Sequence, residues 1–517
     1  MLRVNELKAG SVLSYISIFV TILVGLLYTP IMLRLLGQAE YGLYSLIGSL
    51  AAYLTILDLG LGNAIVRYNA RNRAIGDKAA EASLNGMFLV LYSFIGLVTL
   101  IIGAILYLNL GNMFGPSLSA LELGKARIMM ALLVFNFTVS FPLGIFGSLV
   151  QAYEKFIFIK VLAIIRSILG PCIMLPFLYM GFGAVPMVVI NTSLNILLLL
   201  INMIYAIRVL NARLSLKGFD YPLLAEIAGY SFFIFLRIIV DKVYWSTGQF
   251  ILGIVSGTVV VAIYSIAIQL STMYMMFSTA ISGVLLPKVT MMVAKDASST
   301  DLSDLMIKIG RIQHVVMAYI ISGFILFGYA FIIIWAGSNY SEAYYMALLL
   351  MIPITVPLIQ NVGIAILQAQ NRMAFRSWLY LAIAVVNVLV SIPLARIMGG
   401  LGCAIATGAS LLIGNVFIIN ICYHRKIGLN IRLFWRNIAV MTLPVAGAFL
   451  CGYIINSAIT QNSIAMVALK ILIYSVIYVL VMWFFGINAY ERELFASPAR
   501  KMAGIFGRSQ LGVRVND

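Results

Sequence analysis

The stretch YSFFIFLRIIVDKVYWSTGQFIL, residues 230–252, has the length and apolar character of a membrane-spanning helix, yet it carries three charges near its middle. Arg237 and Asp241 are four residues apart, so they share a helix face and can form an ion pair. Lys242 lies about 100° further round the helix, and the same contact does not neutralise it.

A charge at the centre of a bilayer costs at least about 2.5–3.5 kcal/mol, so charged side chains there normally face a bundle interior or a water-filled cavity. We therefore interpret this helix as one wall of a polar path through the membrane. The alternative is a buried ion pair that only holds helices together.

The whole chain is similarly apolar: of 517 residues, 63% are hydrophobic and 10% are charged. This composition excludes a soluble globular protein and predicts an all-α polytopic membrane protein. Apolar runs of about 20 residues or more predict about fourteen transmembrane helices. The predicted helices are at 11–36, 43–66, 84–108, 128–150, 159–180, 184–207, 228–252, 258–287, 312–336, 344–368, 374–397, 401–423, 435–457 and 464–486.

The net charge of +17 is explained by membrane topology without a nucleic-acid partner. If the N-terminus lies in the cytoplasm, 26 of the 34 Lys and Arg residues fall in cytoplasmic segments and 4 in outer loops. Because cytoplasmic segments of membrane proteins are enriched in Lys and Arg, we expect both termini to be cytoplasmic.

The two halves of the chain resemble each other at an offset near 217 residues. Residues 149–155 (LVQAYEK) correspond to 366–372 (ILQAQNR), and 181–184 (GFGA) correspond to 400–403 (GLGC). The offset equals six helices, an even number, which predicts a parallel repeat with a pseudo-twofold axis along the membrane normal. The predicted parts are a six-helix N-lobe (1–217), a six-helix C-lobe (218–426), two C-terminal helices (427–488) and a cytoplasmic basic tail (489–517).

Enzyme motifs are missing from the sequence. It has no phosphate-binding loop, no metal-ligand spacing and no Ser/His/Asp arrangement, and its two histidines lie near predicted cytoplasmic helix ends. We therefore expect a non-enzyme without cofactor or metal. In the tail, residues 490–506 mix apolar and basic side chains, which fits either an interfacial helix or a disordered tail.

Other charged residues also lie within predicted helices. Arg166 either adds positive charge to the N-lobe wall or extends to the headgroups, and Lys470 is expected to extend outward in the same way. Asp58 either pairs with Arg67 or is a titratable coupling group. A cavity with surplus positive charge suits an anionic substrate such as a phosphate or pyrophosphate head. The cations counted toward this surplus are Arg166, Arg237 and Lys242, against Asp241 and Asp58.

Two segments carry a family resemblance. LLGQAEYGLY (35–44) and DLGLGNAIVRY (58–68) resemble the first two helices of Wzx-type polysaccharide flippases, which belong to the multidrug/oligosaccharidyl-lipid/polysaccharide (MOP, MATE-like) exporter superfamily. The fourteen-helix layout and the two Gln-Ala segments extend the resemblance to nearly the whole chain. The motif residues are expected to be structural: Gly37, Tyr41, Gly42, Gly60, Gly62 and Arg67.

The resemblance implies two six-helix lobes around a V-shaped cavity. It implies flipping of an undecaprenyl-pyrophosphate-linked repeat unit of O-antigen, lipopolysaccharide or capsule from the cytoplasmic to the outer leaflet of a bacterial inner membrane. Alternating access driven by H⁺ or Na⁺ is expected, with the glycan polymerase and other assembly proteins as partners. The candidates for pyrophosphate binding are Arg166, Arg237 and Lys242, and those for coupling or ion pairing are Asp241 and Asp58.

Three alternatives stay open. The chain could be an ion-coupled multidrug exporter of the same superfamily, or a flippase for another lipid carrier such as lipid II or a teichoic acid precursor. It could also be a non-transporting scaffold for an envelope-synthesis complex.

Overall fold

The computed structural model describes residues 2–216, 220–282, 286–370 and 372–496, and within these ranges all regular structure is helical. Apolar segments form helices in a bilayer because each backbone N–H and C=O must find its partner inside the segment. The helices are α1 (Leu2–Leu54), α2 (Leu61–Ile75), α3 (Lys78–Phe114), α4 (Ala120–Ala152), α5 (Phe156–Tyr179), α6 (Ala184–Ile204), α7 (Tyr221–Val255), α8 (Thr258–Ser282), α9 (Leu286–Ala294), α10 (Ser299–Trp335), α11 (Ala343–Ile359), α12 (Asn361–Ala369), α13 (Met373–Leu411), α14 (Ile419–Arg425), α15 (Ile431–Ala458) and α16 (Ile464–Val481).

The described residues contain eleven helices long and apolar enough to cross a membrane, or twelve if the bent pair α11 and α12 is one span. Two of these helices are interrupted by a glycine, α1 at Gly37 (φ 75°) and α13 at Gly399 (φ 56°). Glycine adopts positive φ without steric penalty, so the chain kinks there without a separate loop. Dividing both helices at these glycines gives up to fourteen candidate spans within the described residues, by length and composition, and the predicted all-α polytopic fold is confirmed.

Contacts divide the chain into two compact units. The first comprises Met1–Met276, Trp335–Pro353 and Arg372–Gly414, and its main packing pairs are α3 with α4, α1 with α5, and α7 with α13. The second comprises Phe277–Ile334, Ile354–Asn371 and Asn415–Asp517, where α9 packs on α12 and α15 on α16. The division into lobes at 217 and 426 stays a prediction.

Glycines of the 35–68 motif lie where helices touch. A Cβ on Gly42 would overlap the carbonyl oxygen of Thr258 at the start of α8. Gly60 has φ 78°, and a Cβ there would lie 2.7 Å from Cγ2 of Ile234 on α7. Tyr41, the residue before Gly42, is buried. These positions therefore need glycine for close approach and, at Gly60, for backbone conformation as well.

Gly42→Ala should destabilise the protein by about 1–3 kcal/mol, because the added methyl group forces α1 away from the first turn of α8. Gly48→Ala on the same helix is the matched control, since nothing lies within 4 Å of its Cβ position. Thermal unfolding midpoints in detergent measure both. A Gly42→Ala midpoint equal to that of Gly48→Ala would contradict the close contact.

Lys470 does not extend outward as predicted. It is 1% exposed and donates hydrogen bonds to Oδ1 of Asn456 (3.2 Å) and Oδ1 of Asn462 (2.9 Å). The physical reason is helical spacing: the buried face of α16 consists of Val467, Lys470, Tyr474 and Tyr478, which recur every three or four residues. Lys470 therefore ties α16 to the end of α15 and to the loop between the two helices.

The chain continues after α16 into a short helix at 489–496, which we call the tail helix. Its Glu491 is 1% exposed and receives two bonds from the buried Arg311 of α10, from Nε at 2.5 Å and from Nη2 at 2.9 Å. Glu491 and Asn488 also cap the helix reciprocally through their backbone N–H groups. The start of the predicted tail is thus helical and fixed to α10, and residues 497–517 of the predicted interfacial segment and tail lie outside the described residues.

Candidate functional site

α7 contains the charged stretch 230–252. The helix begins after Asp220, whose carboxylate accepts the N–H of Leu223 at 3.0 Å. Its second half is closely packed, with buried residues at Ser246, Thr247, Gly248, Ile251, Leu252 and Gly253. Near its middle lie Arg237 and Asp241, whose side chains are 64% and 57% exposed. The charges are therefore on an accessible part of the helix.

Four charged side chains near the middle of α7 lie close enough to interact electrostatically. Nε of Arg237 lies 3.7 Å from Oδ2 of Asp241. Lys242 on α7 and Arg376 on α13 also interact electrostatically with the Asp241 carboxylate. We call Arg237, Asp241, Lys242 and Arg376 the charge cluster. It holds three cations and one anion, so its formal charge is +2.

The Arg237–Asp241 contact is weak as a structural tie. Its 3.7 Å separation is longer than a hydrogen bond, and both side chains are more than half exposed. Both residues lie on α7, so this pair does not join the helix to a neighbour. α7 and α13 also meet through apolar side chains, for example Phe232 and Trp378 with ring centroids 6.4 Å apart. The Arg237–Asp241 pair is therefore not what holds these two helices together.

Arg376 was not among the predicted site residues. The distribution of basic residues placed it in a cytoplasmic segment, but α13 begins at Met373, so Arg376 lies in the first turn of a helix that packs on α7. The internal repeat contained a signal for Arg376. In both copies the Gln-Ala segment is followed by two basic residues, which are Lys155 and Lys160 in the first copy and Arg372 and Arg376 in the second.

Arg166 is exposed on α5, which packs against α1, α4 and α6. Within the described residues it makes no hydrogen bond or ion pair, and the structure does not bring it into the charge cluster. Its assignment to the substrate site stays a prediction.

Asp58 lies at the break between a 3₁₀ turn, Thr55–Asp58, and α2. Its carboxylate accepts the Tyr92 hydroxyl at 2.7 Å and the backbone N–H groups of Gly60 and Gly62, so it caps the start of α2. It also faces a cavity of about 220 Å³ that Tyr92 and Gly62 line as well. The N–H donors at the helix break are thus satisfied by a carboxylate that stays accessible from a cavity.

The predicted alternative of an Asp58–Arg67 ion pair is wrong. The Arg67 guanidinium lies over the ring of Tyr230 on α7, 4.5 Å from its centroid. This cation–π contact joins α2 to α7, and it leaves Asp58 without a cationic partner among the described residues.

The end of α7 away from the charge cluster is tied to other helices. The hydroxyls of Thr247 and Tyr53 hydrogen-bond each other. The Gly253 carbonyl accepts the hydroxyl of Ser117 at 2.6 Å, and a Cβ on Gly253 would overlap Leu46. These contacts pack the C-terminal end of α7 against other helices, whereas the charged part of α7 stays accessible.

Comparisons with known proteins give the family and the fold. Residues 7–293 match the family model described as polysaccharide biosynthesis protein. No curated protein sequence matches the chain significantly. Among solved structures, an inward closed conformation of the lipid II flippase MurJ is similar at 15% identity, with a TM-score of 0.68, covering 92% of this chain and 98% of that one.

Two drug-transporter structures are also similar. An inward-facing multidrug resistance MATE family transporter of the MOP superfamily has 15% identity, a TM-score of 0.56, and coverage of 75% of this chain and 95% of that one. A point mutant of the Vibrio cholerae MATE transporter VcmN has 13% identity, a TM-score of 0.54, and coverage of 83% of this chain and 99% of that one. The fold is thus that of MOP-superfamily flippases and transporters, and since the family model covers more than half of its length, the chain belongs to the polysaccharide biosynthesis protein family.

Proposed function

We propose that this protein is a flippase for an undecaprenyl-pyrophosphate-linked oligosaccharide repeat unit. It moves this lipid from the cytoplasmic to the outer leaflet of the bacterial inner membrane by alternating access, with both termini in the cytoplasm. The family membership and the fold shared with a lipid II flippase support lipid-linked sugar as the cargo class.

The observation that carries this proposal is the charge cluster. Arg237, Lys242 and Arg376 all interact electrostatically with the Asp241 carboxylate, and the four side chains together carry a formal charge of +2. A pyrophosphate linkage supplies negative oxygens that arginine and lysine side chains bind well. The net positive charge of the cluster therefore favours binding of a substrate anion.

Coupling to an H⁺ or Na⁺ gradient is assigned to Asp58. Its carboxylate faces a cavity, has no cationic partner among the described residues, and is held by neutral donors. A carboxylate in such a setting can take up and release a cation without breaking an ion pair.

Asp58→Asn should abolish stimulation of flipping by an imposed ion gradient. The amide oxygen still accepts the Tyr92 hydroxyl, but the side chain no longer changes charge. The rate of substrate exposure in liposomes, with and without a gradient, measures this. Asp77→Asn, which keeps its cap on α3, is the matched control. Full stimulation of flipping by the gradient in Asp58→Asn would show that Asp58 serves only as a helix cap.

The function itself is tested by reconstitution. Purified protein is placed in liposomes that hold an undecaprenyl-pyrophosphate oligosaccharide, and access of an external glycosidase to the sugar is followed with time. Exposure above that of protein-free liposomes is the expected result. Exposure at the protein-free rate, with folded protein, would contradict the proposal and favour an envelope-synthesis scaffold.

A second candidate is an ion-coupled multidrug exporter, which the MATE-like fold favours. The same liposomes loaded with a fluorescent cationic drug distinguish the two. Because the charge cluster repels cations, we expect no drug movement. Gradient-driven drug release without sugar exposure would establish the exporter instead.

A further inference from the structure

Two cavities are lined by residues in the N-terminal half of α7, none of which belongs to the charge cluster. One, of about 480 Å³, has polar lining residues that include Tyr68, Arg71, Asp220 and Glu226. The other, of about 440 Å³, is lined by apolar side chains that include Leu91, Phe94, Ala228 and Phe235. We call them the head pocket and the tail groove.

The two cavities follow each other along the same two helices. On α3 the lining passes from Met87 in the head pocket to Leu91 in the tail groove, a step of four residues. On α7 it passes in the same way from Leu223 to Ile227. Residues at this spacing lie on one helix face, so the two cavities follow each other along the same face of each helix. We call this face, which is polar at one end and apolar at the other, the seam.

The length of this seam matches one leaflet of a bilayer. From Asp220 at its polar end to Phe235 at its apolar end, α7 rises by about 22 Å at 1.5 Å per residue. A bilayer with its headgroups is about 40–45 Å thick, so one leaflet is roughly half of that. A lipid seated in the seam would thus reach from the headgroup level to the middle of the membrane.

The charges of the head pocket select among lipids. Arg71 offers one cation, and Asp220 and Glu226 offer two carboxylates. Glu226 accepts one bond from the Tyr68 hydroxyl (3.1 Å) and Asp220 accepts one from the Leu223 N–H, so each keeps acceptor capacity. Arg67 also lies near this end, with its guanidinium carbon 5.9 Å from the ring centroid of Tyr68, so two cations and two carboxylates balance. A neutral site disfavours a purely anionic head, whereas a head with both a phosphate and an ammonium group satisfies both signs.

We propose that the head pocket and the tail groove bind a zwitterionic phospholipid with a primary amine, of the phosphatidylethanolamine class. Arg71 binds its phosphate, and Asp220 and Glu226 bind its ammonium group. This site is separate from the charge cluster, and it does not depend on which substrate the protein carries.

Native mass spectrometry of the full chain tests the proposal. Detergent-purified protein is incubated with equal amounts of phosphatidylethanolamine, phosphatidylcholine and phosphatidylglycerol. We expect phosphatidylethanolamine to be retained about tenfold over both others. Its ammonium group donates charged hydrogen bonds to the carboxylates, which a choline group cannot do, and its head is neutral overall, unlike that of phosphatidylglycerol. Equal retention of the three lipids, or preference for phosphatidylglycerol, would overturn the proposal.

Two sets of variants locate the site. Asp220→Asn with Glu226→Gln should remove the preference, while both amides keep the bonds to Leu223 and Tyr68; Asp77→Asn is the matched control outside the pocket.

Ala228→Phe should fill the tail groove and reduce retention of all three lipids about tenfold. Ala225→Phe, also exposed on α7 but not lining the groove, should not. Unchanged retention in Ala228→Phe, with the protein folded, would refute a lipid tail in the groove.

Discussion

Arg237→Gln and Lys242→Gln should each slow substrate exposure in liposomes about tenfold or more, with the protein still folded. Hydrogen bonds to charged groups contribute about 1.5–3 kcal/mol, and about 1.4 kcal/mol corresponds to a factor of ten. The loss falls on substrate binding and transport because the Arg237–Asp241 contact is longer than a hydrogen bond and lies within one helix, so it contributes little to the fold. Thermal unfolding midpoints, measured together with the rates, separate the two effects.

Arg376→Gln should behave like the two α7 variants if Arg376 belongs to the same site. Arg432→Gln, an exposed arginine in the first turn of α15, is the matched control for loss of one positive charge. Arg166→Gln tests whether the positive charge on α5 contributes to substrate exposure together with the charge cluster. Normal rates of substrate exposure in well-folded Arg237→Gln and Lys242→Gln proteins would show that the charge cluster has a structural role and no role in transport.

Glu491→Gln or Arg311→Met should destabilise the protein by about 3–5 kcal/mol, the largest stability effect that we expect from one substitution. Both partners are nearly inaccessible, with the Arg311 and Glu491 side chains 9% and 1% exposed, and the contact is bidentate. Removing one partner leaves the other as an uncompensated buried charge. The thermal midpoint in detergent should fall accordingly, and proteolysis should cut the tail helix more readily.

Glu493→Gln is the control for this prediction, because Glu493 is exposed on the same tail helix. The double replacement Arg311→Met with Glu491→Leu should recover most of the loss, since an apolar pair of similar volume avoids the desolvation of two charges. A single Glu491→Gln variant as stable as Glu493→Gln would show that the tail helix is not fixed to α10 by this pair.

The fold was largely predictable from the lengths of the apolar segments, because a long apolar segment in a bilayer satisfies its own backbone hydrogen bonds only as a helix. The departures have local causes. Gly37 and Gly399 replace loops with kinks, so the helices of two predicted pairs follow each other directly at a single non-helical glycine. Apolar length does not report backbone conformation at a single glycine, so these kinks were not visible in the pattern.

The site was less predictable, because partners distant in sequence decide it. The i,i+4 spacing of Arg237 and Asp241 was enough to predict their contact. Arg376 joins them only through the packing of α13 on α7, and its charge had already been explained by topology. Lys470 and Glu491 show the same limit: hydropathy places a charge along a helix, whereas its burial depends on which helix covers that face.

Recognition of a lipid-linked pyrophosphate by the charge cluster is tested most directly by comparing two substrates in the liposome assay. One has the pyrophosphate linkage, and the other has a neutral linkage between the same lipid and sugar. We expect the unsubstituted protein to expose the pyrophosphate substrate at least about tenfold faster, and the Arg237→Gln, Lys242→Gln double variant to lose this preference. Equal rates for both substrates in the unsubstituted protein would contradict recognition of the pyrophosphate by these side chains.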